Sequence, residues 1–120
     1  MEEIKGKYLY CVIKERKPQK FNILGQEEKE VYTINEGGLA IAVSDTSKEE
    51  YSFIKEHLIS HQKVIEQVMK EGYDVLPARF GTVAKNVEDI KEKILKGKRK
   101  ELLEIFPITE GRIELGLRAF

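Results

Sequence analysis

The chain has 120 residues, of which 41% are hydrophobic and 35% are charged, and its 21 basic side chains balance its 21 acidic ones. This length suffices for one hydrophobic core, so we expect residues 1–120 to form a single domain. The balance of charge argues against a general nucleic-acid or acidic-membrane binder, and no apolar run reaches the length that spans a bilayer.

The cysteine content indicates a reducing compartment. Cys11 is the only cysteine, so no disulfide can form within the chain. The first residues are polar and of mixed charge, without the apolar stretch of a secretory signal. We therefore expect an intracellular protein in which Cys11 is buried and unreactive.

Three strands are predicted in the first part of the chain. Residues 7–14 (KYLYCVIK) are apolar on both faces, which favours a central strand. Residues 31–34 and 39–44 flank two glycines and predict a hairpin, whose second strand carries alanines that would let a helix pack closely. Residues 15–30 are polar and predict a long loop, whose apolar members can fold back against the body: Phe21, Ile23 and Leu24.

A long helix is predicted next. Residues 45–47 offer N-caps, with capping-box spacing to the following glutamates, and Gly72 would end the helix. Apolar residues recur at steps of three and four, which places them on one face. They are Tyr51, Ile54, Leu58, His61, Ile65 and Val68. A break near Ser60 would divide this pattern into two helices.

Residues 75–83 (VLPARFGTV) predict the central strand of the fold, because strand-forming residues lie between two helical patterns. Pro77 has no N–H for a central ladder, so we expect it at the strand's entrance or at a bulge. Arg79 stands inside this apolar stretch. An arginine there is paired, exposed on one face or held for a partner, and we favour a structural pairing with a carboxylate or a loop carbonyl.

The last part of the chain predicts further helices and a closing strand. Asn86 would cap a helix ending at Gly97, with Val87, Ile90 and Ile94 facing inward. Residues 98–106 predict one or two helical turns, stopped by a proline at 107. Residues 112–120 alternate between apolar and polar, which is typical of a half-exposed edge strand.

This order of elements predicts the fold class. A strand, a hairpin, a helix, a strand, a helix and a strand fit an α+β sandwich related to the ferredoxin-like arrangement. We expect a mainly antiparallel sheet with helices packed on one face.

No arrangement of residues favours an enzyme. His57 and His61 have the spacing of a two-histidine metal site, but the glutamate of the H-E-x-x-H motif is missing and no third ligand is evident. His61 also falls on the apolar face of the predicted helix, where a core histidine is the ordinary interpretation. The glycines have neither P-loop nor dinucleotide spacing. We expect no catalytic residue, cofactor or metal.

Five segments, taken in chain order, resemble the N-terminal domain of gas vesicle synthesis proteins of the GvpL/GvpF family. They are KYLYCVI (7–13), GGLAIAVSD (37–45), HQKVIEQVM (61–69), VLPARFGTV (75–83) and GRIELGLR (111–118). The L-P-x-R-F-G-T segment is the most specific, and the set covers nearly the whole chain. Family members usually continue into a second, largely helical region that does not follow the closing segment here, as in a fragment or a short member of the family.

The resemblance implies a modified ferredoxin-like fold and a non-enzymatic accessory protein that assists gas vesicle formation. Its implied place is the gas vesicle or the cytoplasm, and its implied partners are the hydrophobic shell protein and other accessory proteins, with no nucleic acid and no membrane insertion. The positions that match the family's motif are His61, Leu76, Pro77, Arg79, Phe80, Gly81, Thr82, Glu114 and Gly116.

An assembly factor for an apolar partner needs an exposed apolar or strand-edge surface. We expect one of two segments to supply it. The candidates are the loop with Phe21, Ile23 and Leu24 and the closing strand with Ile113, Leu115 and Leu117. The alternative function is a ferredoxin-like ligand-sensing or regulatory module, in which Arg79 would hold an anion.

Overall fold

The computed structural model describes residues 3–109, and of residues 107–109 the helical backbone alone. The predicted closing strand, residues 112–120, lies outside the described residues. So do the candidate positions Ile113, Glu114, Leu115, Gly116 and Leu117.

An antiparallel sheet forms the body of the molecule. Its strands are β1 (Gly6–Lys14), β2 (Lys20–Leu24), β3 (Glu30–Glu36), β4 (Leu39–Thr46) and the short β5 (Leu76–Pro77) and β6 (Val83–Ala84). They are arranged in the order β2-β3-β4-β1-β5, with β6 also paired to β1, and each of these pairs is antiparallel. β1 lies inside the sheet as predicted, and Cys11 within it is fully buried.

Helices lie on both faces of this sheet, whereas the sequence pattern indicated one face. Their bounds are α1 (Lys55–Lys70), α2 (Val87–Asp89), which continues into the π-helical Ile90–Lys96, and α3 (Arg99–Thr109). α1 packs against one face through Val64, Ile65 and Val68. The later helices cover the other face with Ile90, Leu95, Leu102 and Phe106. The α+β class and the mainly antiparallel sheet are confirmed.

The two-sided arrangement follows from β1 and β4, which are apolar on both faces. Ala40 and Ala42 belong to the core beneath α1, and Leu39, Ile41 and Val43 to the core on the opposite face. Successive side chains of a strand point to opposite faces, so a strand without polar alternation needs cover on both.

The prediction of one central strand at residues 75–83 is not confirmed among residues 3–109, where the two short strands β5 and β6 take its place. β5 and β6 pair only with β1 among the described strands, at the edge of the sheet, and residues 78–82 connect them as a bulge. We call residues 78–82 the motif bulge. A short apolar run between helical patterns predicts a buried strand, but it does not show whether that strand has a neighbouring strand on one side or on both. Pro77 is the last residue of β5, directly before the bulge.

The loop predicted over residues 15–30 contains β2 and a short turn at Gln26–Glu28. β2 pairs with β3, with Phe21 opposite Val31. The alternation of polar and apolar residues in KFNIL is a strand pattern, but it is short and polar residues surround it.

α1 begins at Lys55 rather than at residues 45–47, because the capping side chains there have other partners. Lys7 Nζ lies 2.6 Å from the Asp45 carboxylate. The hydroxyls of Thr46 and Ser47 donate to Glu27, at 2.7 and 2.8 Å. β4 therefore continues to Thr46.

Within α1, the inward face is confirmed for His61, Ile65 and Val68, which are all buried. The helix is continuous through Ser60, and Gly72 follows its end with a φ of +104°. None of the described helices combines the length and the apolarity that crossing a membrane requires.

The helices after β6 keep the predicted cap but differ from the prediction at Val87, at Leu95 and at the end of α3. Asn86 Oδ1 accepts from the Asp89 N–H at 2.8 Å, which confirms the cap. In the π-helical turns Leu95 is fully buried and Ile94 packs against the same core, partly buried, whereas Val87 in α2 is 36% exposed. α3 continues past position 107 to Thr109, since a proline in a last turn removes only one backbone hydrogen bond.

The core shared by α1 and the sheet yields a stability prediction. We expect Ala42→Leu to destabilise the fold by about 1–3 kcal/mol, because Ala42 is fully buried in the core that contains Val64 and Val68, and a larger side chain would overpack it. Urea denaturation of both chains measures this difference. An unchanged free energy of unfolding would contradict the close packing of helix on sheet.

Candidate functional site

The described family-motif positions lie together at the motif bulge. Leu76 and Pro77 belong to β5 and residues 79–82 to the bulge itself, and His61 approaches from α1. The fold thus assembles side chains from two segments of the chain around one short stretch of backbone.

A buried hydrogen-bond chain fixes this backbone. The Gly81 N–H donates to Tyr8 Oη at 3.1 Å, Tyr8 Oη lies 2.8 Å from His61 Nδ1, and His61 Nε2 lies 3.2 Å from the Ala78 carbonyl oxygen. A carbonyl can only accept, so Nε2 carries the proton and Nδ1 of the neutral ring accepts from Tyr8. We call this arrangement the Tyr8–His61 clamp.

The clamp lies in a low-polarity environment. Tyr8 is fully buried, His61 is 7% exposed, and the rings of Tyr10 and Phe80 flank the imidazole. Burial lowers the pKa of His61 below its ordinary value of 6.5, and the hydrogen bond to Ala78 opposes this only in part. Burial also raises the pKa of Tyr8. Both groups are therefore neutral at pH 7, as the hydrogen-bond chain requires.

The bulge itself is closed by Gly81 and Thr82. Gly81 has a φ of +84°, a conformation that favours glycine. The Arg79 carbonyl accepts from the N–H of Thr82 at 3.3 Å and from its hydroxyl at 2.7 Å. On either side the ladder with β1 continues, from Ala78 N–H to the Tyr10 carbonyl and from Leu9 N–H to the Thr82 carbonyl.

Two side chains of the bulge remain, those of Arg79 and Phe80, and neither is fully buried. Arg79 is exposed, and no carboxylate among residues 3–109 lies within ion-pair distance of it. The structural pairing favoured by the sequence is thus not found in the described part of the chain. Phe80 is half-buried, with its ring 5.9 Å from that of His61 and 5.5 Å from that of Phe53.

Phe53 is a surface residue that the sequence analysis missed. Its side chain is 78% exposed, although it forms an edge-to-face pair with Phe80. The only signal in the sequence is that position 53 falls off the apolar face of the predicted helix, and that signal is weak, because Ile54 on the predicted face is itself 45% exposed. A phenylalanine off the apolar face indicates an exposed aromatic residue.

The surface predicted at residues 21–24 needs a correction. Phe21 is 7% exposed and packs in the core against Tyr73, and Ile23 is half-buried. Only Leu24, at 57% exposure, is open to a partner. The alternation of the β2 side chains turns Phe21 toward the body, so the three residues do not form one exposed cluster.

Both histidines and the cysteine have structural surroundings that account for them. His57 Nδ1 lies 3.0 Å from the Ser52 carbonyl, and both ring nitrogens of His61 have partners in the clamp. Among the described residues, no three side chains are placed to hold a metal ion. Burial raises the pKa of Cys11 far above its ordinary value, which keeps the thiol protonated and unreactive.

The clamp predicts a loss of stability when Tyr8 is replaced by phenylalanine. The ring is retained, but the Gly81 N–H and His61 Nδ1 lose their shared partner. We expect a loss of about 1–3 kcal/mol, the cost of leaving buried polar groups unsatisfied. Urea denaturation provides the measurement. Tyr32→Phe, which removes a hydroxyl bonded to the partly exposed Asp45, is the control for which a smaller loss is expected.

The clamp also predicts a pH dependence of folding. The folded pKa of His61 is below 6.5, so around this pH the unfolded chain binds more protons than the folded one. The contribution of His61 to stability is complete above pH 6.5 and is lost as the pH falls toward the folded pKa. Denaturation midpoints between pH 7.5 and 5 should fall accordingly. We expect His61→Gln to flatten this slope and His57→Gln to retain it, and equal slopes in both variants would contradict the assignment.

The comparisons with known proteins agree with one another. The model of the family described as gas vesicle synthesis protein GvpL/GvpF matches residues 6–120. Gas vesicle protein F of Nostoc sp. is 34% identical over 96% of this chain and 48% of its own length. Gas vesicle protein L1 of Halobacterium salinarum is 28% identical over 92% of this chain and 43% of its own.

Two crystal structures have the same fold. GvpF from Anabaena sp. PCC7120 superposes with a TM-score of 0.80 and 33% identity, covering 88% of this chain and 45% of that one. GvpF from Microcystis aeruginosa gives 0.78 and 32%, covering 89% and 45%. The chain thus spans about half the length of the relatives that it matches. It belongs to the GvpL/GvpF family of gas vesicle synthesis proteins.

Proposed function

We propose that this chain acts as a non-enzymatic assembly factor in gas vesicle formation, by binding the hydrophobic shell protein and other accessory proteins. The observation that carries this proposal is the family match over residues 6–120, together with relatives named gas vesicle proteins F and L. In this proposal the protein acts at gas vesicles or in the cytoplasm around them.

The surroundings of the reactive side chains support a binding role rather than catalysis. A nucleophile needs an accessible, activated group beside a base. Here Cys11 is fully buried, and the Tyr8–His61 clamp uses both of its polar side chains to hold backbone. The exposed apolar side chains Phe53, at 78%, and Leu24, at 57%, are instead the kind of surface that contacts another protein.

Leu24 and Phe53 are the most exposed of the large apolar side chains in the described part of the chain. Leu24 lies on β2, the outermost described strand on that side of the sheet, within the segment that the sequence predicted as an apolar loop. Phe53 lies beside the motif bulge at the other side of the sheet.

Co-expression with the gas vesicle shell protein tests the proposed function. We expect the tagged chain to capture the shell protein, because an insoluble apolar partner is kept in solution by a protein that covers its apolar surface. An unrelated α+β domain with a similar isoelectric point, near 6.8, serves as the control for non-specific capture. No capture above this control, by a chain whose circular dichroism confirms folding, would contradict the proposal.

A further inference from the structure

The middle of the motif bulge is tied to the sheet by a side chain. On either side of residues 79–81, backbone hydrogen bonds to β1 resume. Among the described contacts of residues 79–81 with β1, the one hydrogen bond is that from the Gly81 N–H to Tyr8 Oη, at 3.1 Å. The Tyr8 hydroxyl therefore decides whether this stretch of backbone is held against the sheet.

The hydrogen bonding of Tyr8 depends in turn on the protonation of His61. Tyr8 Oη lies 2.8 Å from His61 Nδ1, which accepts the hydroxyl proton because Nε2 donates to the Ala78 carbonyl oxygen at 3.2 Å. A proton added to the ring resides on Nδ1 and makes both ring nitrogens donors. The bond to Ala78 is kept, but the Tyr8 hydroxyl loses its acceptor and meets two N–H groups, those of His61 and Gly81.

The imidazole lies among uncharged rings. Those of Tyr8, Tyr10 and Phe80 contact it, with centroid distances of 5.6, 5.9 and 5.9 Å. Burial lowers the pKa of His61, and none of the ion pairs among residues 3–109 includes this residue. A proton on the closed clamp is therefore costly, and a proton on an imidazole that water can reach is not.

Titratable groups come from each element packed around the clamp. Those of β1, of the segment before α1, of α1 and of the bulge are Tyr8, Tyr10, Tyr51, His57 and Arg79. The turn after β2 contributes Glu27, whose carboxylate accepts from the Tyr51 hydroxyl at 3.1 Å. Each tyrosine has its pKa raised, so these hydroxyls do not ionise at or below pH 7. His61 is thus the group of the clamp that changes charge between pH 7.5 and pH 5.

The bulge can open without the rest of the fold. The strands that bound it, β5 and β6, have two residues each. Arg79 is exposed, and residues 80–82 are half-buried. α1 has its own contacts with the sheet through Val64, Ile65 and Val68. A segment with so little buried surface belongs to the least stable part of a fold, the part that opens locally.

We propose that the Tyr8–His61 clamp is an acid-sensitive switch, in which a proton on His61 releases the Gly81 N–H from Tyr8 and residues 79–82 open while the sheet and α1 stay folded. The switch changes the surface that Arg79 and Phe80 present. It is independent of the proposed function, and it differs from a loss of global stability because the bulge opens first.

Hydrogen exchange, followed by NMR for each amide of the unchanged chain, tests the switch. The measured quantity is the protection factor, the ratio of the exchange rate in an unfolded chain to the observed rate at the same pH. At pH 7.5 the factor of the Gly81 amide should be at least about tenfold below those of the β1–β4 ladder, because local opening precedes unfolding. Between pH 7.5 and pH 5 it should fall about tenfold, because the open form alone binds the proton below the ordinary pKa of 6.5.

Three variants assign the effect to the clamp. Tyr8→Phe removes the hydroxyl, so the Gly81 amide should lose its protection already at pH 7.5. His61→Gln should abolish the fall between pH 7.5 and pH 5. His57→Gln is the matched control, because it removes the other histidine of α1, bonded to the Ser52 carbonyl, and it should keep the fall.

Each contrary result overturns the switch in the unchanged chain or in a folded variant. Equal protection of Gly81 and of the β1–β4 ladder at each pH would mean that the bulge opens only when the whole chain unfolds. A Gly81 factor that stays constant from pH 7.5 to pH 5 would mean that the proton does not release it. A fall that persists in His61→Gln would assign the pH dependence to another group.

Discussion

The hydrogen-bond chain from Gly81 through Tyr8 and His61 to Ala78 is the constraint on which the motif bulge depends. Where a strand bulges out of a sheet, its backbone N–H and C=O groups lose their hydrogen bonds to the neighbouring strand. Leaving such groups buried without other partners costs free energy of folding. At this point the side chains of Tyr8 and His61 provide the hydrogen-bond partners for the Gly81 N–H and the Ala78 carbonyl. They come from β1 and α1, so the bulge can form only when the sheet and the helix have packed together. The surface presented by Phe80 is therefore a consequence of the tertiary fold.

A second polar network joins the hairpin to the loop before α1. Tyr10 Oη accepts from the Gln26 N–H and bonds Ser44, and Glu27 accepts from Thr46, Ser47 and Tyr51. Glu27 and its neighbour Glu28 have φ values of +58° and +55°, which non-glycine residues rarely adopt. The four hydrogen bonds to the Glu27 carboxylate offset that strain. This network fixes the segment that carries Phe53 to the body of the protein.

Sequence reasoning succeeded where a local pattern had one physical solution. The aromatic and β-branched run of β1, the two glycines after β3 and the Asn86 cap each determine their own conformation, and the structure contains all three. It failed where contacts with distant parts of the chain overrode the role that the local sequence predicted. Thr46 and Ser47 are good helix caps, yet Glu27 binds them, and the π-helical turns after α2 bring Leu95 into the core in addition to Ile90 and Ile94. The resemblance located the motif, but only the packing of α1 placed Phe53 beside it.

The residue types of the motif separate into those that the fold requires and those that it does not. Leu76 fills the core, Gly81 provides the positive φ, and Thr82 closes the bulge on the Arg79 carbonyl. Each of these three residues has a role that stabilises the fold. The guanidinium of Arg79 has no such role among the described residues, and a shorter polar side chain would expose less apolar surface and lose less conformational entropy on binding. A long cation without an ion pair among residues 3–109 contributes little to folding, so the described fold alone does not account for this residue type.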